Sequence, residues 1–331
     1  MRAIWRVLAA ILLAGLIPGC ELRLLKETQA VNPTPVNRYA LIPAGVSKIT
    51  PAEDAWIPTA AAGWSQPAPL PFPVNTAGAE DSPFILEDDV TLLFFFTPDL
   101  NIPAEKQLLD GVTGIWVTRR QGEGWSEPQR LMLARPGEMH LDGCPFINGS
   151  LLVFCSARQG NYRDIDLFTA EWNGNEGSNW KNWGEQINRQ YRVGEMHISK
   201  DGSMLYFSSD RAGGWGGRDL WVSRKQGEGW GEPVNLGAQV NSSQDENRPF
   251  LSADGNELWF DRPGGKGKPG TAIFRSLRQK DGSWSIPEEI VSIFAGEPTL
   301  TSDGKTLFFV HHYVSKDGSK IYEADVYFSR R

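Results

Sequence analysis

From about residue 62 the chain repeats itself, and a repeat of this kind limits the fold more tightly than composition does. One recurring phrase is Gly-Trp-x-x-Pro followed by a short apolar stretch. It reads GWSQPAPL at 63–70, GWSEPQRL at 124–131, GWGEPVNL at 229–236 and SWSIPEEI at 283–290, with a worn copy, NWGEQI, at 182–187. A second phrase has an acidic or Gly-containing lead, a strand, a turn and another strand. Its copies are EDSPFILEDDVTLLFF (80–95), LDGCPFINGSLLVF (141–154), GEMHISKDGSMLYF (194–207), ENRPFLSADGNELWF (246–260) and GEPTLTSDGKTLFF (296–309). Asn148-Gly149, Asp201-Gly202, Asp254-Gly255 and Asp303-Gly304 mark the turns, where Gly supplies the positive φ that a hairpin needs. A third strand follows at 114–120, 164–172, 218–225, 271–278 and 325–331.

Each unit is thus expected to form four short antiparallel strands over about 50 residues. Such a unit cannot bury both of its faces alone, whereas five set radially bury them against one another. The expected fold is all-β, a five-bladed β-propeller of four-stranded blades. The chain ends on a third strand, and an orphan GW-x-x-P copy stands at 62–75. That N-terminal segment should supply the outer strand of the last blade and remove an open edge. The 35 Gly, 22 Pro and 13 Trp suit many turns and short strands, and 40% hydrophobic with 22% charged residues excludes a mainly disordered chain.

The stretch FSSDRAGGWGGRDLWVS (207–223), preceded by SKDGSMLY, resembles the WD-like propeller repeat of the TolB family and of periplasmic proteins allied to OmpA. The resemblance covers about 62–331, is closest in blade 3, and is worn in blades 1 and 5. Blade 1 carries an insertion at 98–113, and blade 5 lacks the Ser-Asp-Arg triplet. The resemblance implies an envelope-facing propeller that binds proteins or glycans, without fixing one activity.

Ahead of the repeats, Arg2 and Arg6 precede an apolar run at 7–17 that is too short to span a bilayer. Ile17-Pro18-Gly19-Cys20 then resembles the bacterial lipobox, which implies cleavage before Cys20 and a palmitoylated, diacylglycerol-bearing thiol. The expected organisation is a signal peptide at 1–19, a lipidated tether at 20–61 and the propeller at 62–331. The tether reading rests on Pro33, Pro35, Pro43, Pro51 and Pro58 and on weak periodicity. The lipid would be the only membrane anchor, placing the protein in the cell envelope, on the outer membrane, facing the periplasm or the cell surface. A net charge of −7 without a basic cluster argues against nucleic-acid binding.

Trp64, Trp125, Trp183, Trp230 and Trp284 recur at one place per unit and are expected to fill space between blades. Asp166, Asp219 and Asp325 open third strands, and Arg158 and Arg211 close second strands, as loop-to-strand contacts. The leads into the innermost strands should line the channel mouth. They carry Glu80, Asp81, Glu138, His140, Asp142, Glu195, His197, Asp245, Glu246 and Glu297. Such a ring could bind a divalent cation such as calcium, hold an acid and a base for hydrolysis, or form a solvated acidic rim. His311-His312 is expected on a loop surface. The sequence contains no HExxH, nucleophile elbow or phosphate-cradling loop, and GGKGKPG at 264–270 reads as a flexible loop.

The functional readings are a lipid-anchored module that binds an envelope protein or glycan, an enzyme, and a structural envelope protein. For the enzyme, five-bladed glycosidases of the arabinanase and xylosidase group use three carboxyls from the first three blades. Asp81, Asp142 and Glu195 are similar in arrangement. Cys144 and Cys155 flank one hairpin turn. A two-residue turn sets Cys144 opposite Val153, with Cys155 diagonal on the same face, a separation marginal for a disulfide unless a bulge closes it. Two buried free thiols are the alternative.

Overall fold

The computed structural model describes residues 37–331 apart from Leu109 and Pro136. The expected signal peptide, Cys20 and the first part of the expected tether lie outside the described residues. The described chain is nearly all-β, and each repeat unit folds as an antiparallel meander. Unit 1 runs Ala79–Ile85, Thr91–Thr97 and Gly114–Gln121, with the short outer pieces Gly124–Trp125 and Gln129–Arg130. Unit 2 runs His140–Asn148, Leu151–Arg158, Asp166–Trp172 and Gly177–Asn182. Unit 3 runs Met196–Ile198, Met204–Ser209 and Asp219–Gln226, with Gly229–Trp230 and Val234–Asn235 outside. Unit 4 runs Asn247–Leu251, Glu257–Pro263, Thr271–Leu277 and Glu288–Ser292. Unit 5 runs Ala295–Leu300, Thr306–Val314 and Ile321–Arg330, and Ala68–Pro69 takes its outer place, Ala68 opposite Phe328 and Pro69 opposite Tyr327.

The innermost strands touch in cyclic succession, unit 1 with 2, 2 with 3, 3 with 4, 4 with 5 and 5 with 1. Among the described residues the hydrogen-bonded sheets number four and stay open. Units 5 and 1 are joined by one parallel pair, Ala324 with Ala79. The core lies between the faces of neighbouring units. Trp125 meets Phe308 of unit 5 at 6.1 Å, Trp284 meets Tyr206 of unit 3 at 6.3 Å, and Trp64 meets Trp259 of unit 4 at 5.6 Å, all edge to face. A cation on or directly after the third strand of its own unit covers each ring: Arg120, Arg278 and Arg331 respectively, and Lys225 over Trp230.

Where an outer strand leaves its neighbour, an Asn side chain replaces the backbone ladder. Asn75 Oδ1 accepts from Val326 N at 3.0 Å while Nδ2 donates to Val326 O at 2.9 Å. Asn188 does the same with Leu167, and Asn241 with Leu220.

The innermost strands of units 1, 2, 4 and 5 share a bulge. The residue before a proline takes a left-handed backbone: Ser82 (φ 48°), Cys144 (φ 49°), Arg248 (φ 52°) and Glu297 (φ 59°). The register slips there, between Asp81 and Phe84, Gly143 and Phe146, Asn247 and Phe250, and Gly296 and Thr299. A bulge suits Pro, which has no N–H for the ladder. Unit 3 has Met196 instead of Pro, and its aligned residue is Glu195. In unit 2 the loop is Gly149-Ser150, with Asn148 opposite Leu151, so Phe146 and not Cys144 faces Val153. The bulge swings Cys144 to Cys155, and the two are bonded with Cα atoms 5.4 Å apart.

Two expectations need correction. Residues 37–61 do not hang free as a tether. Arg38 is buried against Glu80, Lys48 binds Glu323 and Asp325, and Trp56 Nε1 donates to Ser315 O at 2.9 Å. Thr59 and Ala60 then pair with Ser292 and Val291, adding a fifth strand to the sheet of unit 4. Scattered prolines said nothing of single charged residues that find buried partners far along the chain. His311 and His312 are not on a loop. The third strand pairs along the whole of Thr306–Val314, so both lie inside a strand and are buried.

Candidate functional site

Three aligned positions, Glu195, Arg248 and Glu297, meet where the innermost strands of units 3, 4 and 5 begin. Arg248 Nε lies 2.8 Å from Glu195 Oε2 and 2.7 Å from Glu297 Oε1, and Nη1 lies 3.3 Å from Asp261 Oδ2. Asp261, on the second strand of unit 4, also accepts the Glu297 N–H at 2.9 Å. The carboxyl of Asp81 of unit 1 adjoins that of Glu297, and each shifts the other's pKa. The left-handed bulges at Arg248 and Glu297 direct these side chains to one another.

One guanidinium thus faces four carboxyls. Burial raises the Glu297 carboxyl well above its ordinary value, with Arg248 opposing and Asp81 reinforcing the rise. Asp81 and Asp261 are also raised by burial, opposed by neighbouring Glu297 in the first case and by the charge of Arg248 in the second. Burial pushes Glu195 up to about 7, against the pull of Arg248. The Glu195 side chain keeps 29% of its surface in solvent, against 7% for Glu297 and 0% for Asp261. Glu195 is therefore the one carboxyl of the cluster that an incoming molecule meets.

The other expected site residues lie elsewhere. Asp142 accepts from Ser156 Oγ and Arg158 Nη2, each at 2.6 Å, and its other oxygen lies 2.6 Å from His140 Nδ1. Burial alone would raise its pKa, but His140 and Arg158 hold it below the ordinary value. Glu246 accepts from Ser242 N (3.0 Å) and Oγ, as Glu80 does from Thr76, so both close a loop. The phrases VNTAGAE (74–80) and VNSSQDE (240–246) carry that box and could have shown it. Glu138 is exposed and accepts from Arg135 N at 3.0 Å, outside the cluster. His197 stands between Phe146 (4.8 Å) and Phe250 (4.6 Å), and burial pushes its pKa down to about 3.

The structure therefore brings together Asp81, Glu195 and Glu297 and leaves out Glu138, His140, Asp142, His197 and Glu246. Arg248 and Asp261 were missed by the sequence reading. Aligning the residue before each proline would have found Arg248, whereas Asp261 follows the apolar Leu258-Trp259-Phe260 run with no repeat signal. Among the described residues no group of three or more His, Cys, Asp or Glu is placed to hold a metal ion. At the mouth, Arg248 supplies the positive charge that the carboxyls collect.

No protein-family model matches the sequence, and no curated protein matches it. Solved structures that align with the chain include TolB from Acinetobacter baumannii, 13% identical with a TM-score of 0.43, over 78% of this chain and 56% of that one. The endo-arabinase from Bacteroides thetaiotaomicron VPI-5482 aligns at 15% identity and TM-score 0.48, over 76% and 93% of the two chains. A thermostable family-43 glycoside hydrolase aligns at 14% identity and TM-score 0.46, over 78% of this chain and 91% of that one.

Proposed function

We propose that the chain is a five-bladed β-propeller, held in the cell envelope by a lipid on Cys20, that binds an envelope protein or glycan at its channel mouth. The cyclic contacts of the innermost strands and the seat of Ala68–Pro69 beside the last strand support the propeller. The observation that carries binding is the clamping of Glu195, Glu297 and Asp261 on Arg248. A glycosidase needs one carboxyl free to give a proton and another free to take one or to attack. Here Asp81 is engaged by Glu297, Asp142 by Arg158 and His140, and Glu195 by Arg248. That engagement favours holding a ligand over hydrolysis.

The test is a panel of glycans and envelope extracts offered to the Cys20→Ser protein, scoring binding and cleavage together. Binding without cleavage, weakened by Glu195→Gln, is the expected result. Cleavage lost in the same variant would replace binding by hydrolysis. The lipid is tested separately: Cys20→Ser should abolish palmitate labelling, and label that persists overturns the anchor.

A further inference from the structure

We propose that the rim between units 2 and 3 takes an acidic saccharide, with Trp215 and Tyr162 as stacking surfaces and Arg218 and Arg163 as receptors for its carboxylates. This rests on the binding reading above and names the ligand class. The loops at 159–165 and 210–218 leave second strands, so they lie at the end of the meander where the innermost strands begin. Both are built alike: Tyr162 N donates to Asp166 Oδ2 at 2.7 Å, and Trp215 N to Asp219 Oδ2 at 2.6 Å. The residue four before the capping Asp is aromatic in each, and it stays in water, Tyr162 48% and Trp215 62% exposed. The Trp215 loop is held firmly. A Cβ at Gly216 or Gly217 would run into Gln244 or Asp245, so glycines press the loop against the next unit. An immobilised, exposed tryptophan is a surface kept for something other than the core.

Three of the repeated tryptophans, Trp125, Trp230 and Trp284, could not serve this way, because they are buried in the core. The arginines beside the exposed rings find few carboxylates free. Asp210 is held by Arg192 through two bonds of 2.6 and 2.7 Å. Asp166 caps its own loop, Glu195 is taken by Arg248, and Asp245 accepts the backbone N–H of Arg218 at 2.7 Å. Among the described residues no carboxylate lies within ion-pair distance of the exposed Arg218 guanidinium. Arg163 donates to Val193 O at 2.9 Å, and its Nε lies 3.9 Å from Asp166 Oδ1, a carboxylate that also caps the loop. A guanidinium receives a carboxylate through two parallel hydrogen bonds. A sugar ring lays its C–H face on an aromatic ring, which an acidic peptide would leave unused.

The test titrates the Cys20→Ser full chain with oligogalacturonate, with its methyl ester (same rings, no charge), and with poly-glutamate (same charge, no rings). The expected result is binding of oligogalacturonate alone, weakened about tenfold or more by Trp215→Ala and by Arg218→Gln at unchanged melting temperature. No binding of oligogalacturonate, equal binding of poly-glutamate, or indifference to both variants would overturn the proposal. If Glu195→Gln abolishes glycan binding while both rim variants keep it, the rim fails and the mouth stands. If nothing in the broader panel binds, the binding reading itself fails.

Discussion

Arg38 and Glu80 form an ion pair at 3.2 Å with 1% and 0% of their side chains exposed, across 42 residues of sequence. Arg38 also donates to the carbonyls of Pro73 and Val74, and its guanidinium lies over Phe94 and Phe96. Even so, burial pushes Glu80 up to about 7, with Arg38 opposing. Removing one partner of such a pair strands the other charge. Arg38→Met should cost about 3–5 kcal/mol in urea unfolding, and Arg38→Met with Glu80→Gln should cost less than the single change. An additive double variant would show that the pair is uncoupled.

The pH dependence of stability should have two limbs of opposite sign. Glu195 has a folded pKa of about 7 against an ordinary 4.5, so its contribution is full below 4.5 and is lost as pH rises through 7. His197 has a folded pKa of about 3 against 6.5, so its contribution is full above 6.5 and is lost as pH falls towards 3. Neither limb can exceed about 1.4 kcal/mol per pH unit per group. Glu195→Gln should flatten the decline between pH 4.5 and 7, and His197→Phe the decline below 6.5. Melting curves across pH 3–8 that keep the parent slopes in both variants would refute the assignment.

Arg248 occupies the centre of the carboxyls, so calcium should stabilise the protein no more than sodium at equal ionic strength. Arg248→Gln removes the internal cation. That variant should melt lower and should then gain stability from millimolar calcium by mass action. A calcium-specific rise in the parent protein would mean that the arginine leaves a cation site open.

Cys144 and Cys155 close a loop of 11 residues in sequence separation. Reduction should lower stability by about 3 kcal/mol or somewhat less, as loop-closure entropy returns to the unfolded chain. Thiol titration of the unfolded, unreduced Cys20→Ser protein should find no free thiol. Two thiols per chain would show that the bond is absent.

The meanders were legible because they rest on local chemistry. Gly149 and the Asp-Gly turns set hairpins, with the unit 2 loop one residue later than Asn148-Gly149 suggested, and alternation around them sets strands. The mouth was half legible: Glu195 and Glu297 stand at repeated positions, but their common partner Arg248 is the one cation among five aligned residues. What lay beyond reach depends on pairing between distant segments. Lys48 binds Asp325 at 2.6 Å, and Asp54 lies 2.9 Å from His311 Nε2, across more than 250 residues in each case. Nothing near residue 48 or 54 announces a buried acid or imidazole. The same contacts turned an expected tether into part of the fold and an expected surface histidine into a buried one.

The residue before each inner proline, with Glu195 standing in for unit 3, has a consequence for how this protein can change. Ser82, Cys144, Glu195, Arg248 and Glu297 sit at one repeated sequence position, and of these only Cys144 packs against the apolar core. Three of the five already meet as acid, base and acid. The repeat of the unit thus sets equivalent positions around one opening, of which Cys144 alone is tied up by its disulfide. A new specificity could arise by rewriting a few of those side chains, with the packing between units left as it is.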